Sequence, residues 1–205
     1  MTLGERKLVG RRGQNSLLEL VVIVAVAIGL ALLIQAFLIK PYRIPSESME
    51  PTLDVGQRVL VSRFNYHFSD PDRGDVVVFH PPKGANSNTC AAPKPEDQAC
   101  SLPTPQRDSV NFIKRIVAVP GDTLSIRNGH AIVNGKPQKD DFTSPCAPGT
   151  CNFPRSIKIP PGHFFMMGDN RGASDDSRFW GPVPRKWIIG QAFATYWPPK
   201  RWGIL

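Results

Sequence analysis

The chain lacks the common signatures of hydrolytic chemistry. It contains no Gly-x-Ser-x-Gly, no Ser-x-x-Lys and no His-Glu-x-x-His, so nucleophile-elbow, β-lactamase-type and zincin sites find no motif. Its 4 histidines, His67, His80, His130 and His163, are scattered. Chain order alone leaves a Ser-His-Asp triad open, but nothing else points to one. Its 4 cysteines have neither C-x2-C spacing nor a histidine cluster beside them, which argues against structural zinc. No metal and no cofactor is expected. Acidic residues are outnumbered 25 to 17 by Lys and Arg, for a net charge of +8. Such a surface could bind nucleic acid, yet no basic-aromatic stripe of the kind that tracks a single strand is present. Attraction to anionic lipid headgroups is the expected account.

Long apolar runs are also scarce; there is one. Residues 17–39 read LLELVVIVAVAIGLALLIQAFLI, with Glu19 and Gln35 the strongly polar positions. As a helix these residues span roughly 35 Å, enough to cross a bilayer core. Arg6, Lys7, Arg11 and Arg12 precede the run against one acid, Glu5, and only Lys40 and Arg43 follow closely. The positive-inside rule then predicts a cytoplasmic N-terminus, residues 1–16, and an extracytoplasmic domain, residues 40–205, on a single-pass anchor. Tyr42 is expected at the interface and Glu19 near the cytoplasmic side. A cleaved signal peptide is the competing reading, but the run exceeds a usual h-region and Pro41-Tyr42-Arg43 is a poor cleavage context.

Beyond the anchor, short apolar runs alternate with turns. Strands are predicted at 58–61, 75–79, 110–119, 123–126, 131–133, 157–159, 163–167 and 187–197. Asn128-Gly129 and Asn134-Gly135 mark hairpin turns. Residues 83–109, rich in Pro, Ser and Asn, read as a loop insertion. The 21 prolines and few helical periods predict a mostly β domain, a folded or barrel-like antiparallel sheet, with a small inserted hairpin subdomain at about 123–160. An even cysteine count outside the cytoplasm favours disulfides. Of three pairings, Cys90–Cys100 with Cys146–Cys151 is favoured, because each pair brackets a Pro-containing loop.

Two residues stand out chemically. Lys114 interrupts the apolar strand Phe112-Ile113-Lys114-Arg115-Ile116-Val117-Ala118, where alternation puts it with Phe112, Ile116 and Ala118. Burial would lower its pKa, and a neutral lysine can take a serine's proton. Against this, a strand lysine commonly snorkels its ammonium outward. Ser48, in Ile44-Pro45-Ser46-Glu47-Ser48-Met49-Glu50-Pro51, lies in a proline-stiffened loop, which by itself reads as an ordinary turn. A third segment, Gly168 to Arg178, is dense in charge, and Asp169 or Asp176 could pair with Arg171 or Arg178.

Taken in order, SESMEPTL, RGDVVVF, FIKRIVAVPGD and GDNRGASDDSR resemble the boxes of the bacterial type I signal peptidases, and the anchor fits the same family. The resemblance implies a membrane-bound serine endopeptidase that removes signal peptides from exported preproteins, cutting after small residues of Ala-x-Ala type. It implies Ser48 as nucleophile and Lys114 as general base. Ser46 would join the Ser48 backbone N–H in an oxyanion hole, Ser174 would orient the lysine, and Asp169, Arg171, Asp176 and Arg178 would brace the site. Gly172-Ala173 departs from the usual Asp-Asn of the last box. The implied partners are preproteins and membrane lipids, with no obligate protein partner. The rivals are a membrane-anchored non-catalytic β module, a self-cleaving repressor, for whose DNA-binding domain residues 1–16 are too short, and a specialised relative cutting few substrates.

Overall fold

The computed structural model describes residues 12–205. Helix α1 runs Arg12–Phe37. Its stretch Ser16–Leu33 has a mean hydropathy of 2.7, and among the described residues it is the one helix long and apolar enough to cross a membrane. Its side chains are exposed on all sides: Leu17, Val21, Val24, Ile28 and Leu32 are all at least 47% accessible. A helix apolar all round has no soluble partner face to bury and belongs in lipid. The helix stops at Phe37, two residues before the end of the predicted anchor, 17–39. Ile39 already belongs to strand β1 (Ile39–Arg43). Glu5, Arg6, Lys7 and Arg11, on which the predicted orientation rests, lie outside the described residues.

The rest of the chain is mostly β. The strands that follow are β2 (Arg58–Ser62), β3 (Val76–Phe79), β4 (Phe112–Ala118), β5 (Thr123–Arg127), β6 (His130–Val133), β7 (Lys136–Pro137), β8 (Phe153–Lys158) and β9 (His163–Met167). A short helix α2 (Ser177–Trp180) leads to β10 (Val183–Pro184), β11 (Ile188–Trp197) and β12 (Gly203–Ile204). Among the described residues, one antiparallel sheet of eight strands has the order β1-β2-β11-β3-β4-β9-β10, with β12 also on β11. A second sheet, β7-β6-β5-β8, is the inserted subdomain. It is larger than the predicted hairpin because β8 pairs back onto β5, Leu124 opposite Ile157.

The large sheet is covered on both faces. Alternate residues of β3 go to separate cores: Val76 and Val78 join Ile44, Met49, Leu53 and Ile113, while Val77 and Phe79 join Ile116, Phe164 and Trp180. This is why Val76-Val77-Val78-Phe79 is an unbroken apolar run. Tyr42, half-buried, packs against the first of these cores. A third core joins Leu124, Ile126, Val133 and Ile157 of the subdomain to Phe165 and Met167 of β9. In β4 the predicted alternation stops after Ile116. A register shift between Ile116 and Ala118 lets Val117 and Ala118 both join the subdomain core. Cys90–Cys100 and Cys146–Cys151 are disulfide-bonded, the favoured pairing.

Candidate active site

Ser48 sits in a single 3-10 turn, Glu47–Met49. The turn is held at both ends by apolar side chains. Ile44, Met49 and Leu53, each 0–1% exposed, insert into one core, and each such burial contributes about 1.5–3 kcal/mol. The Leu53 N–H donates to the Met49 carbonyl at 2.9 Å. With its neighbours anchored, the Ser48 hydroxyl has little freedom of direction.

Lys114 comes from β4, between β3 and β9 in the sheet. It is 4% exposed and does not snorkel. Its Nζ donates to Ser48 Oγ at 2.5 Å. Burial pulls its pKa from 10.5 down to about 8, opposed by the carboxylates of Asp176, Asp175 and Asp169. Ser46 Oγ lies 3.3 Å from Ser48 Oγ. The three residues meet in a cleft of about 670 Å³ whose walls are Tyr42–Ser48 on one side and Val110–Lys114 on the other.

The segment after β9 builds the floor. Gly168 is required there. A Cβ on it would stand 2.3 Å from the Ser48 carbonyl oxygen and 2.3 Å from Ser174 Oγ. The Asn170 N–H donates to that same Ser48 carbonyl at 3.1 Å, and Asn170 Nδ2 donates to the Glu47 carbonyl at 3.3 Å. The loop thus grips the serine turn through its backbone. Gly168→Ala is expected to lower kcat about a hundredfold, because an ångström of displacement at the nucleophile costs that much; steady-state cleavage rates check it.

Of the bracing pairs the segment alone offered, Asp176 with Arg178 forms, while Asp169 and Arg171 take partners from elsewhere in the chain. Asp169 pairs with Arg115, which donates from Nε at 2.9 Å and Nη2 at 2.7 Å, and it accepts a third bond from Thr52 Oγ1 at 2.6 Å. Arg115 and Thr52 were not anticipated. The signal was present in part, since alternation sends Arg115 to the face opposite Lys114. Arg171 donates to the Gly129 carbonyl in the subdomain hairpin and lies 3.4 Å from Asp140. Asp176 and Arg178 do pair, through Nε at 2.7 Å and Nη2 at 2.8 Å. Both are fully buried. Asp176 also caps α2 and accepts from the Gly168 N–H at 3.0 Å. Burial opposes its ionisation, but Arg178, the Gly168 N–H and Lys114 outweigh it and hold its pKa below 3.8. Arg178 Nη1 reaches Cys151 Sγ at 3.1 Å and Nη2 the Ser174 carbonyl at 3.1 Å. Ser174 is buried, and its Oγ has no hydrogen-bond partner among the described residues; the expected bond to Lys114 is not formed in this arrangement.

A buried serine hydroxyl against a buried, easily deprotonated lysine is equipped for nucleophilic acyl transfer. Comparison with known proteins agrees. The family model for signal peptidase, peptidase S26, matches residues 17–197. The probable signal peptidase I-1 of Synechocystis sp. is 38% identical over 187 residues, covering 91% of this chain and 86% of that protein. The signal peptidase I of Leptolyngbya laminosa is 36% identical over 196 residues, covering 95% and 86%. That of Mycobacterium tuberculosis is 33% identical over 224 residues, covering 94% and 76%. The chain belongs to the signal peptidase family, peptidase S26, the enzymes that remove signal peptides from preproteins.

Proposed function

We propose that this chain cuts preproteins by a Ser/Lys dyad, with Ser48 as nucleophile and Lys114 as general base. The observation that carries the reading is the 2.5 Å contact from Lys114 Nζ to Ser48 Oγ in a site where the lysine is 4% exposed. Neutral Lys114 takes the Ser48 proton as Oγ attacks the carbonyl of a small residue. The carbonyl oxygen becomes an oxyanion held by the Ser48 N–H and the Ser46 hydroxyl; such donors contribute about 3–4 kcal/mol each. The C–N bond then breaks, the leaving amine takes the proton from Lys114, and an ester to Ser48 remains. Water, deprotonated by Lys114, hydrolyses the ester and frees the signal peptide. Ser174, whose hydroxyl has no partner among the described residues in this arrangement, would orient the lysine only after a turn of one of the two side chains. Asp169, Arg171, Asp176 and Arg178 hold the walls.

In this reading the helix anchors the enzyme with its N-terminus in the cytoplasm, and the domain from residue 40 works at the outer face among lipid headgroups. The substrate lies extended in the cleft, where backbone bonds supply affinity and shallow pockets admit small side chains. Ser48 follows the helix end by few residues, so its reach is at most about 30–40 Å of extended chain. Cleavage sites sit just beyond an apolar segment, and tethering both to one membrane raises their effective concentration.

The test is cleavage of a preprotein with an Ala-x-Ala site by detergent-solubilised wild type, Ser48→Ala and Lys114→Ala, with folding checked by thermal melt. Activity in wild type and none in the two folded variants is expected. Equal activity in all three would mean a different nucleophile and base.

A further inference from the structure

Arg178, fully buried, is only partly paired. Its Nε and Nη2 serve Asp176 and the Ser174 carbonyl. The partners of its Nη1 among the described residues are the two sulfurs of the Cys146–Cys151 disulfide. Cys151 Sγ lies at 3.1 Å and Cys146 Sγ at 4.0 Å. A bridged sulfur is a weak acceptor, but a thiolate in the same place would meet a full positive charge. The Arg171 carbonyl oxygen, 3.3 Å from Cys151 Sγ, opposes a negative charge there; it is farther off and carries only a dipole. The bond is also reachable. Cys151 is 5% exposed, but Cys146 is half-buried and residues 147–150 between them are exposed. In Cys90–Cys100, by contrast, the buried Cys100 Sγ lies 3.6 Å from the Leu102 carbonyl, and among the described residues no cation donates to either sulfur.

Hydrogen bonds link this disulfide to the serine turn. The Ser144 N–H donates to the Asp169 carbonyl at 2.9 Å, and the Arg171 N–H donates to the Ser144 carbonyl at 3.1 Å. The residues leading into Cys146 are thus laddered onto the loop whose Asn170 N–H holds the Ser48 carbonyl. On the other side of the bond, Arg178 holds Asp176 and Ser174. The charges around Lys114 are Asp176, Asp175 and Asp169, which favour its protonated form, and Arg178, which opposes it. Drawing Arg178 toward a thiolate leaves Asp176 less neutralised and adds a negative charge nearby. Lys114 then holds its proton more tightly and is a poorer base at neutral pH.

On the peptidase reading above, on which this inference rests, we propose that Cys146–Cys151 is a thiol–disulfide exchange site whose opening slows the Ser48/Lys114 dyad. The reductant is a dithiol. Its thiolate attacks Cys146 Sγ, the S–S bond breaks, and Cys151 leaves as a thiolate against Arg178, which makes it a better leaving group. The second thiol of the dithiol then displaces Cys146 and passes it a proton. The reductant ends as a disulfide, and the protein has gained two electrons as one thiol and one thiolate.

The full chain, solubilised in detergent, is titrated with dithiothreitol. Freed cysteines are alkylated and identified by mass spectrometry while cleavage of an Ala-x-Ala peptide is followed. Cys146 and Cys151 are expected to be labelled before Cys90 and Cys100. In step with that labelling, kcat at pH 7 falls about tenfold while KM holds, because the apparent pKa of the rate moves up by about one. Above about pH 9 the loss shrinks, and reoxidation restores the rate. Cys146→Ser and Cys151→Ser both remove the bond, but only the first leaves a sulfur against Arg178. The first therefore shows the alkaline profile without dithiothreitol, and the second keeps a profile near that of the wild type. Should either variant misfold, the wild-type titration carries the comparison. Opening of the pair with an unmoved pH profile would make the bond a simple staple and overturn the proposal, as would earlier opening of Cys90–Cys100 or no opening short of unfolding. An oxidised wild type that cuts nothing would sink the peptidase reading and the control of the dyad with it.

Discussion

Lys114→Met is expected to abolish cleavage and at the same time to stabilise the protein at pH 7. The loss of rate is at least about 10⁴-fold, the scale on which loss of a nucleophile's base is felt. The gain in stability follows from linkage. The folded-state pKa of Lys114 is pulled from 10.5 to about 8 by burial. The unfolded chain therefore binds the proton more tightly than the folded one. Below about pH 8 the folded state carries the full cost of a charged buried lysine, ~3 kcal/mol. Between about 8 and 10.5 that cost disappears and stability rises with pH. Methionine has similar volume and no charge, so the variant lacks both the cost and the rise. Thermal melts of the two proteins from pH 6 to 10.5 should differ by several degrees at the acid end and converge at the alkaline end. The wild-type rate should climb through an apparent pKa near 8 over the same interval. Parallel melting curves at every pH would contradict the buried-charge account, and a flat rate profile would remove Lys114 as the base.

Asp176→Asn is expected to be the most destabilising single change near the site. Its carboxylate takes two bonds from the Arg178 guanidinium, one from the Arg178 N–H and one from the Gly168 N–H, and neither Asp176 nor Arg178 has exposed surface. Asparagine keeps the shape but strands the guanidinium as a buried charge, which costs about 3–5 kcal/mol. Activity should fall with stability, because Arg178 Nη2 holds the Ser174 carbonyl and Gly168 underlies the Ser48 turn. The acid arm carries the same sign. The folded pKa of Asp176 is depressed below 3.8, so its contribution is complete above about that pH and is lost as the pH falls through the folded value. Urea titrations at pH 7 and pH 3 measure both effects. A loss below about 1 kcal/mol at pH 7 would mean that the pair is more hydrated than its burial implies.

Most residues of the candidate site could be picked out in the sequence, since they lie in short boxes. Ser48 stands between Pro45 and Pro51, Lys114 interrupts an apolar strand, and Asp176 and Arg178 are two residues apart, so each is local. The strands were legible for the same reason. What escaped was set by distance along the chain. Asp169 takes Arg115, 54 residues away, and Arg171 takes Asp140 and the Gly129 carbonyl. No local pattern names such partners. β1 escaped because Ile39 prolongs an apolar run, and hydropathy does not see that Ile39 pairs with Ser62.

The amino-acid order alone determined the apolar anchor, the β character of the domain and the residues able to carry the chemistry, because periodicity, proline and glycine act within a few residues; it favoured the local disulfides and left the decision among the three pairings to the tertiary structure. It left open whether Lys114 snorkels or stays inside. That choice belongs to the tertiary structure. β3 and β9 flank β4, and cores on both faces of the sheet remove the route to water. Only then does desolvation lower the proton affinity of a lysine that lies against a serine 66 residues away in the chain.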